Sequence, residues 1–201
     1  DLKKVLVDFR TSALGDSLAW IPYVEEYRLK NNCKVYCSTF KNELFEKSYP
    51  EINFIEPGEG VEGASDVIKI GWMKDEETGE LQPPLDIRND NLQKTASFLL
   101  GLKDNREIKP KIHIENKERQ IEGKYVCVAT QSTTQAKYWN NKEGWDKVVE
   151  YLKSLGYKVV CIDKDRRFGI EGQYNDIPAG TIDKTKENTE DISLQNRITD
   201  L

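Results

Sequence analysis

An α/β fold built on parallel sheets is what this sequence predicts, and three observations carry that reading. Short apolar runs of strand length alternate with stretches whose apolar residues recur at helical spacing. The alternation appears twice, with a charged, Pro-containing interval between the two series. Strand–helix–strand repetition is the pattern of a parallel sheet with crossover helices, because parallel neighbours need a long connection that a helix supplies.

In the first series, Lys3–Phe9 (KKVLVDF) reads as a strand and Arg10–Asp16 (RTSALGD) as a polar turn. Ser17–Leu29 reads as a helix with Leu18, Ile21, Val24 and Tyr27 on one face, Asp16 or Ser17 as its N-cap, and Pro22 ending the first turn or kinking it. Lys34–Thr39 is a second strand, Glu43–Lys47 a short helix and Ile52–Ile55 a third strand. From Glu56 to Pro84 the order weakens into loops around VIKIGW, a further strand; Leu92–Leu102 is amphipathic and helical, with Asp86, Asn89 and Asp90 as its caps. Residues 1–110 thus form a first domain and the charged 111–124 a linker. The second series, 125–201, begins with the strand KYVCVA, the polar loop Thr130–Asn141, a helix Lys142–Leu155 closed by Gly156, and the strand Tyr157–Asp163. Ser193–Leu201 opens another helix. Two clear strands are too few for a doubly wound domain, so this second domain is expected to be incomplete. A first residue of Asp1 rather than Met points the same way.

Composition narrows the function classes. The chain has 201 residues, 37% hydrophobic and 32% charged, with 30 Lys and Arg against 35 Asp and Glu and a formal net charge of −5. That balance argues against a nucleic-acid partner, which calls for a basic excess, while leaving room for a local anion pocket. No apolar run is long enough to span a bilayer, and no signal-peptide pattern opens the chain, so the cytoplasm is the expected compartment. Cys33, Cys37, Cys127 and Cys161 lie in or beside apolar runs rather than in ligand-spaced pairs; they read as buried free thiols, and no metal is assigned to them. His113, the one histidine, has no nucleophile near it in sequence and reads as structural.

Two loops carry the candidate chemistry, each following a strand and preceding a helix, where open α/β sheets bind ligands. In the first, TSALGD, Gly15 permits a tight turn and Asp16 is either a general base facing the crevice or simply an N-cap. In the second, TQSTTQAKYWNN, the hydroxyls of Ser132, Thr133 and Thr134 with the Lys137 ammonium suit a phosphate or diphosphate. A solvated polar loop with Trp139 packed beneath it fits the same residues. Neither a Walker A motif nor a G-x-G-x-x-G fingerprint occurs. Asp163, at the end of YKVVCID, reads equally as a ribose ligand or a turn-former.

Residues 7–58, with ALGD, and 109–163, with AKYWN, together resemble the bacterial autotransporter O-heptosyltransferases, relatives of the lipopolysaccharide ADP-heptose transferases. The paired motifs at this separation are specific where each alone is weak. The resemblance implies a GT-B arrangement of two Rossmann-like domains with the active site in the cleft between them, and an inverting glycosyltransferase that moves heptose from ADP-heptose to Ser/Thr hydroxyls of autotransporter proteins. It implies that Asp16 is the catalytic base, that Lys137 binds the donor diphosphate, and that Ser132, Thr133 and Thr134 belong to the phosphate loop beside it. It further implies donor-domain strands beyond Leu201, with a cysteine cluster holding iron there rather than in these residues. The implied partners are ADP-heptose, an autotransporter passenger and, optionally, further copies of the chain. A lipopolysaccharide heptosyltransferase with a sugar acceptor and a non-catalytic nucleotide-binding module are the rival expectations.

Overall fold

The computed structural model describes residues 2–86, 88–103, 106–113, 121–132, 135–170 and 173–185. The chain divides into two compact units, residues 1–113 and 114–201.

The first unit is a four-stranded, wholly parallel sheet. Its strands are β1 (Lys4–Phe9), β2 (Lys34–Ser38), β3 (Asn53–Ile55) and β4 (Asp66–Ile70), in the order β3-β2-β1-β4. Val5, Leu6 and Val7 are buried in succession, so both faces of β1 are covered, as an interior parallel strand requires. Each such side chain contributes roughly 1.5–3 kcal/mol by leaving water. β4 forms one edge, and its burial falls accordingly: Val67 is exposed while Ile70 is buried.

Helix α1 (Leu14–Asn31) crosses from β1 to β2, and α2 (Asn42–Phe45) lies between β2 and β3. The N-cap of α1 is Ala13, not Asp16 or Ser17. The helix starts three residues earlier than its apolar spacing suggests, and both polar residues fall inside its first turns. Pro22 neither ends nor opens the helix; it is buried within a continuous run, where the N–H it lacks is lost from the ladder without ending it. Trp20 anchors the covered face, packing edge-on to Phe9 at 5.4 Å and donating its indole N–H to the Leu92 carbonyl at 3.0 Å. That carbonyl opens α3 (Leu92–Leu99), which packs on α1. α3 is capped by Asn91, whose side chain accepts from the Lys94 N–H at 2.9 Å; Asp90 pairs with the Lys94 ammonium and Asp86 with Arg88 instead.

The stretch read as loop after β4 contains a small antiparallel hairpin, β5 (Met73–Lys74) with β6 (Leu81–Gln82). The KIHI run forms no strand over its described residues, 111–113; the His113 N–H donates to the Leu44 carbonyl at 3.0 Å.

The second unit holds β7 (Tyr125–Val128), α4 (Lys142–Ser154) and β8 (Lys158–Cys161), close to the expected bounds. It does not stop at two strands. A hairpin of β9 (Arg167–Ile170) and β10 (Gln173–Asp176) follows, and β11 (Ile182–Asp183) then joins β8 in parallel, giving the order β11-β8-β7. These elements leave little mark in the sequence because β9 is four residues interrupted by Gly169, β10 is polar and β11 is two residues long. Val149 of α4 closes over Val128, Val159 and Cys161, with Trp145, Leu152 and Ile177 at the margin. The helix expected over 193–201 lies outside the described residues. All four cysteines are free, and Cys127 is half-buried rather than buried.

Candidate functional site

Strand order fixes where the first unit can bind. The chain leaves β1 toward β2 on one side, while β4 lies on the other, so the crevice at the carboxyl ends of β1 and β4 is the point where the order reverses. There the two strand exits touch. The Arg10 N–H donates to the Ile70 carbonyl at 2.8 Å, and a Cβ on Gly71 would meet Arg10 Cβ at 3.0 Å. Gly71 also has φ +144°, so its glycine serves both backbone conformation and close approach.

From this crevice the chain passes through Thr11, Ser12 and Ala13 into α1. Ala13 offers no side-chain cap, so the first-turn N–H groups of α1 are not closed off by a capping side chain. Asp16 stands in that first turn, half-buried, and Thr11 Oγ1 donates to its Oδ2 at 3.0 Å. The same Thr11 oxygen accepts from the Ala13 N–H at 3.1 Å. Gly15 does not make a turn: it lies inside α1, without positive φ, and a Cβ on it would meet nothing within 4 Å among the described residues. Ser17 is fully buried and donates back to the Ala13 carbonyl at 3.2 Å.

In the second unit the loop after β7 is held from below. Asp163, buried after β8, accepts at Oδ2 from the Thr130 N–H and the Thr130 hydroxyl, both at 2.8 Å, and at Oδ1 from the Gln131 N–H at 3.0 Å. Its carboxylate is thus consumed by the loop and is not available to a ribose. Of the four candidate phosphate ligands, Ser132 and Lys137 are described, whereas Thr133 and Thr134 lie outside the described residues. Lys137 is exposed and ends the 3-10 turn Gln135–Lys137. The next residue, Tyr138, donates its hydroxyl to the Ser132 carbonyl at 3.0 Å, drawing the loop's two ends together.

Past this loop, Asn141 caps α4 by accepting from the Gly144 N–H at 2.8 Å. Trp139 lies edge-on to Trp145 at 5.4 Å, and a Cβ on Gly144 would come within 2.6 Å of the Trp139 ring. Glycine at 144 is therefore the seat of Trp139. A cavity of about 730 Å³ opens at the carboxyl ends of β7 and β8, lined by Thr130, Trp139, Trp145, Asp146, Arg166 and Ile177 among others. Its size fits a small-molecule ligand. Arg166 is steadied by Asp183 at 2.7 Å and Asp176 at 3.4 Å. Sequence reasoning missed Thr11, Gly144 and Arg166. A cation just past a strand's carboxyl end was the one signal available for Arg166, and the unread β9–β10 hairpin obscured it. Neither Ser132 nor Lys137 lines the cavity; they stand beside it on the loop. Among the described residues no three His, Cys, Asp or Glu side chains gather where a metal could be held, and no helix is long and apolar enough to cross a membrane.

No family model matches the chain. It is 39% identical over 199 residues to the autotransporter heptosyltransferase Aah of Escherichia coli, an alignment covering 98% of this chain and 49% of Aah. It is 37% identical to the autotransporter heptosyltransferase TibC of E. coli O78:H11, over 98% of this chain and 47% of TibC. The inactive autotransporter heptosyltransferase BimC of Burkholderia thailandensis is 31% identical over 80% of this chain and 38% of its own. The crystal structure of TibC, an iron-containing dodecameric glycosyltransferase, superposes with a TM-score of 0.83 at 36% identity, covering 100% of this chain and 51% of TibC. TibC has also been solved with ADP-D-β-D-heptose.

Parallel sheets, loops at their carboxyl edges and this superposition give the chain the fold of one half of a solved glycosyltransferase. It spans about half the length of the curated relatives it matches. Over nearly its whole length it is similar to one part of the autotransporter heptosyltransferases.

Proposed function

We propose that the protein of which these residues form part transfers heptose from ADP-heptose to Ser/Thr hydroxyls of autotransporter proteins, as an inverting enzyme of GT-B type. The observation that carries the proposal for the first unit is the place of Asp16: in the first turn of α1, at the reversal point of the sheet, with its carboxylate tied only to Thr11 among the described residues. Asp16 takes the proton of the acceptor hydroxyl as that oxygen attacks the anomeric carbon of heptose. The bond from the anomeric carbon to the donor phosphate breaks, and ADP leaves with the electron pair. The second unit receives the donor. Lys137, with Ser132 and the Thr133 and Thr134 hydroxyls, binds the diphosphate and offsets the charge that develops on it, and the cavity beside Trp139 accepts the rest of the nucleotide.

The iron named for TibC is that protein's. The four cysteines here are spread over both units, Cys37 and Cys161 are fully buried, and no ligand set gathers among the described residues. The residues present do not fit an iron site, and none of the steps above is routed through one. Free thiols, all but Cys127 buried, support a reducing, cytoplasmic setting, and the dodecameric TibC supports self-association.

The resemblance to BimC, a relative that is inactive, favours a second reading in which the protein binds nucleotide without turnover. One experiment separates them. The full-length protein, incubated with ADP-heptose and a passenger fragment, is expected to glycosylate the passenger, and Asp16→Ala is expected to lower the rate about 10²–10⁴-fold with melting temperature nearly unchanged. Binding of ADP-heptose with no glycosylated product in the wild type would establish the second reading.

A further inference from the structure

We infer that Thr11 is a positioning residue for Asp16, fixing which carboxylate oxygen faces the acceptor; the inference rests on Asp16 being the base. The hydroxyl of Thr11 has one proton and two lone pairs. The Ala13 N–H takes one lone pair at 3.1 Å, and the proton goes to Asp16 Oδ2 at 3.0 Å. Orientation is therefore set by the backbone at Ala13, the N-cap of α1, and not by a freely turning rotor. With one lone pair of Oδ2 taken by Thr11, Oδ1 is the oxygen with no partner among the described residues, and the carboxylate cannot swing freely about its Cβ–Cγ bond without losing the Thr11 contact. A base that must meet a hydroxyl within about 2.6–3.2 Å gains from that restraint, because misplacement lowers the share of productive encounters. The same hydroxyl also ties the N–H of the N-cap residue Ala13, so the test must separate orientation of the carboxylate from steadying of the helix start.

The full-length protein tests this with ADP-heptose and a passenger acceptor. Thr11→Val keeps the shape and removes the hydroxyl; kcat is expected to fall about tenfold with KM for ADP-heptose unchanged. Thr11→Ser, which restores the hydroxyl, is expected to return most of the rate. In an Asp16→Ala background, Thr11→Val is expected to have no further effect on the residual rate, since there is no carboxylate left to orient. Should the valine variant fold poorly, Thr11→Ala serves in its place against the same serine rescue. Wild-type kcat in Thr11→Val, failure of Thr11→Ser to recover, or losses that multiply with Asp16→Ala would overturn the inference while leaving Asp16 as base. Near-normal transfer by Asp16→Ala would instead overturn the reading beneath it.

Discussion

Thr130 and Asp163 are joined twice across the carboxyl ends of neighbouring parallel strands, by the backbone N–H and by the side-chain hydroxyl of the same threonine, each at 2.8 Å from one carboxylate oxygen. With the Gln131 N–H on the other oxygen, a single buried carboxylate sets the path of the loop that carries Ser132 and Lys137. Asp163→Ala orphans two backbone donors at once, at a cost of about 1–3 kcal/mol for each that stays dry. Chemical denaturation of the second unit is expected to shift accordingly, and the amides of Thr130 and Gln131 are expected to lose protection in hydrogen exchange. Unchanged exchange at both amides would mean that the loop is held by something else.

Gly144 makes the second prediction. A methyl at this position would stand 2.6 Å from the Trp139 ring and 2.9 Å from Asn141 Cγ, so the ring must leave its place or the helix start must shift. Gly144→Ala is expected to cost about 1–3 kcal/mol through overpacking, despite the better helix propensity of alanine. Tryptophan fluorescence is expected to change with it, because the edge-on Trp139–Trp145 pair is disturbed. A stabilised variant with unaltered emission would contradict this.

Lys137 is expected to matter more than the hydroxyls near it. A fixed ammonium gains as the departing diphosphate gains charge, so Lys137→Ala in the full-length protein should weaken ADP binding and lower kcat. Lys137→Arg should recover only part, since a planar guanidinium does not place its charge where a compact ammonium does. Ser132→Ala removes one neutral hydrogen-bond partner, worth about 0.5–1.5 kcal/mol, and should be milder. Calorimetric titration with ADP gives the ranking, and wild-type affinity with wild-type turnover in Lys137→Ala would restore the picture of a merely solvated loop.

The last prediction concerns acid. Burial works to raise the Asp183 carboxyl, but the Thr185 hydroxyl and N–H and the Arg166 guanidinium outweigh it and hold the group below the usual carboxylate range. A carboxylate depressed in the folded state stabilises it fully above the unfolded value near 3.9 and ceases to do so as pH falls through the lower, native value. Wild type is therefore expected to lose more stability than Asp183→Asn between pH 6 and about pH 2. Urea melts at a series of pH values would reveal equal losses if the carboxylate were indifferent to folding.

Where the apolar pattern was dense, the chain announced its own elements. Val5–Val7 and Val159–Cys161 lie on strands covered on both faces, and such runs cannot be hidden in a sequence. The start of α1 is hidden in the sequence because its N-cap is Ala13, which carries no capping side chain. Asp16, which the sequence leaves as either base or N-cap, stands inside the first turn because Ala13 takes the N-cap position. β9, β10 and β11 escaped notice because their register depends on pairing and on β8 as a template, neither of which leaves a periodic mark in so few residues. Of the candidate site, the two loops were legible as loops between a strand and a helix. The atoms that fix them, Thr11 beneath one and Asp163 beneath the other, act across five and 33 positions of sequence, and only the fold brings the second pair together.

Gly15 has a further consequence. The described residues do not ask for glycine there: the backbone is helical, none of them comes within 4 Å of where a Cβ would stand, and alanine would gain up to about 1 kcal/mol of helix propensity. A methyl group at residue 15 is thus a probe that does not clash with any described part of the apo protein. It separates two quantities that most substitutions near a helix start confound, because a steric penalty it brings falls on a molecule pressed against the α1 backbone and not on the described residues around it.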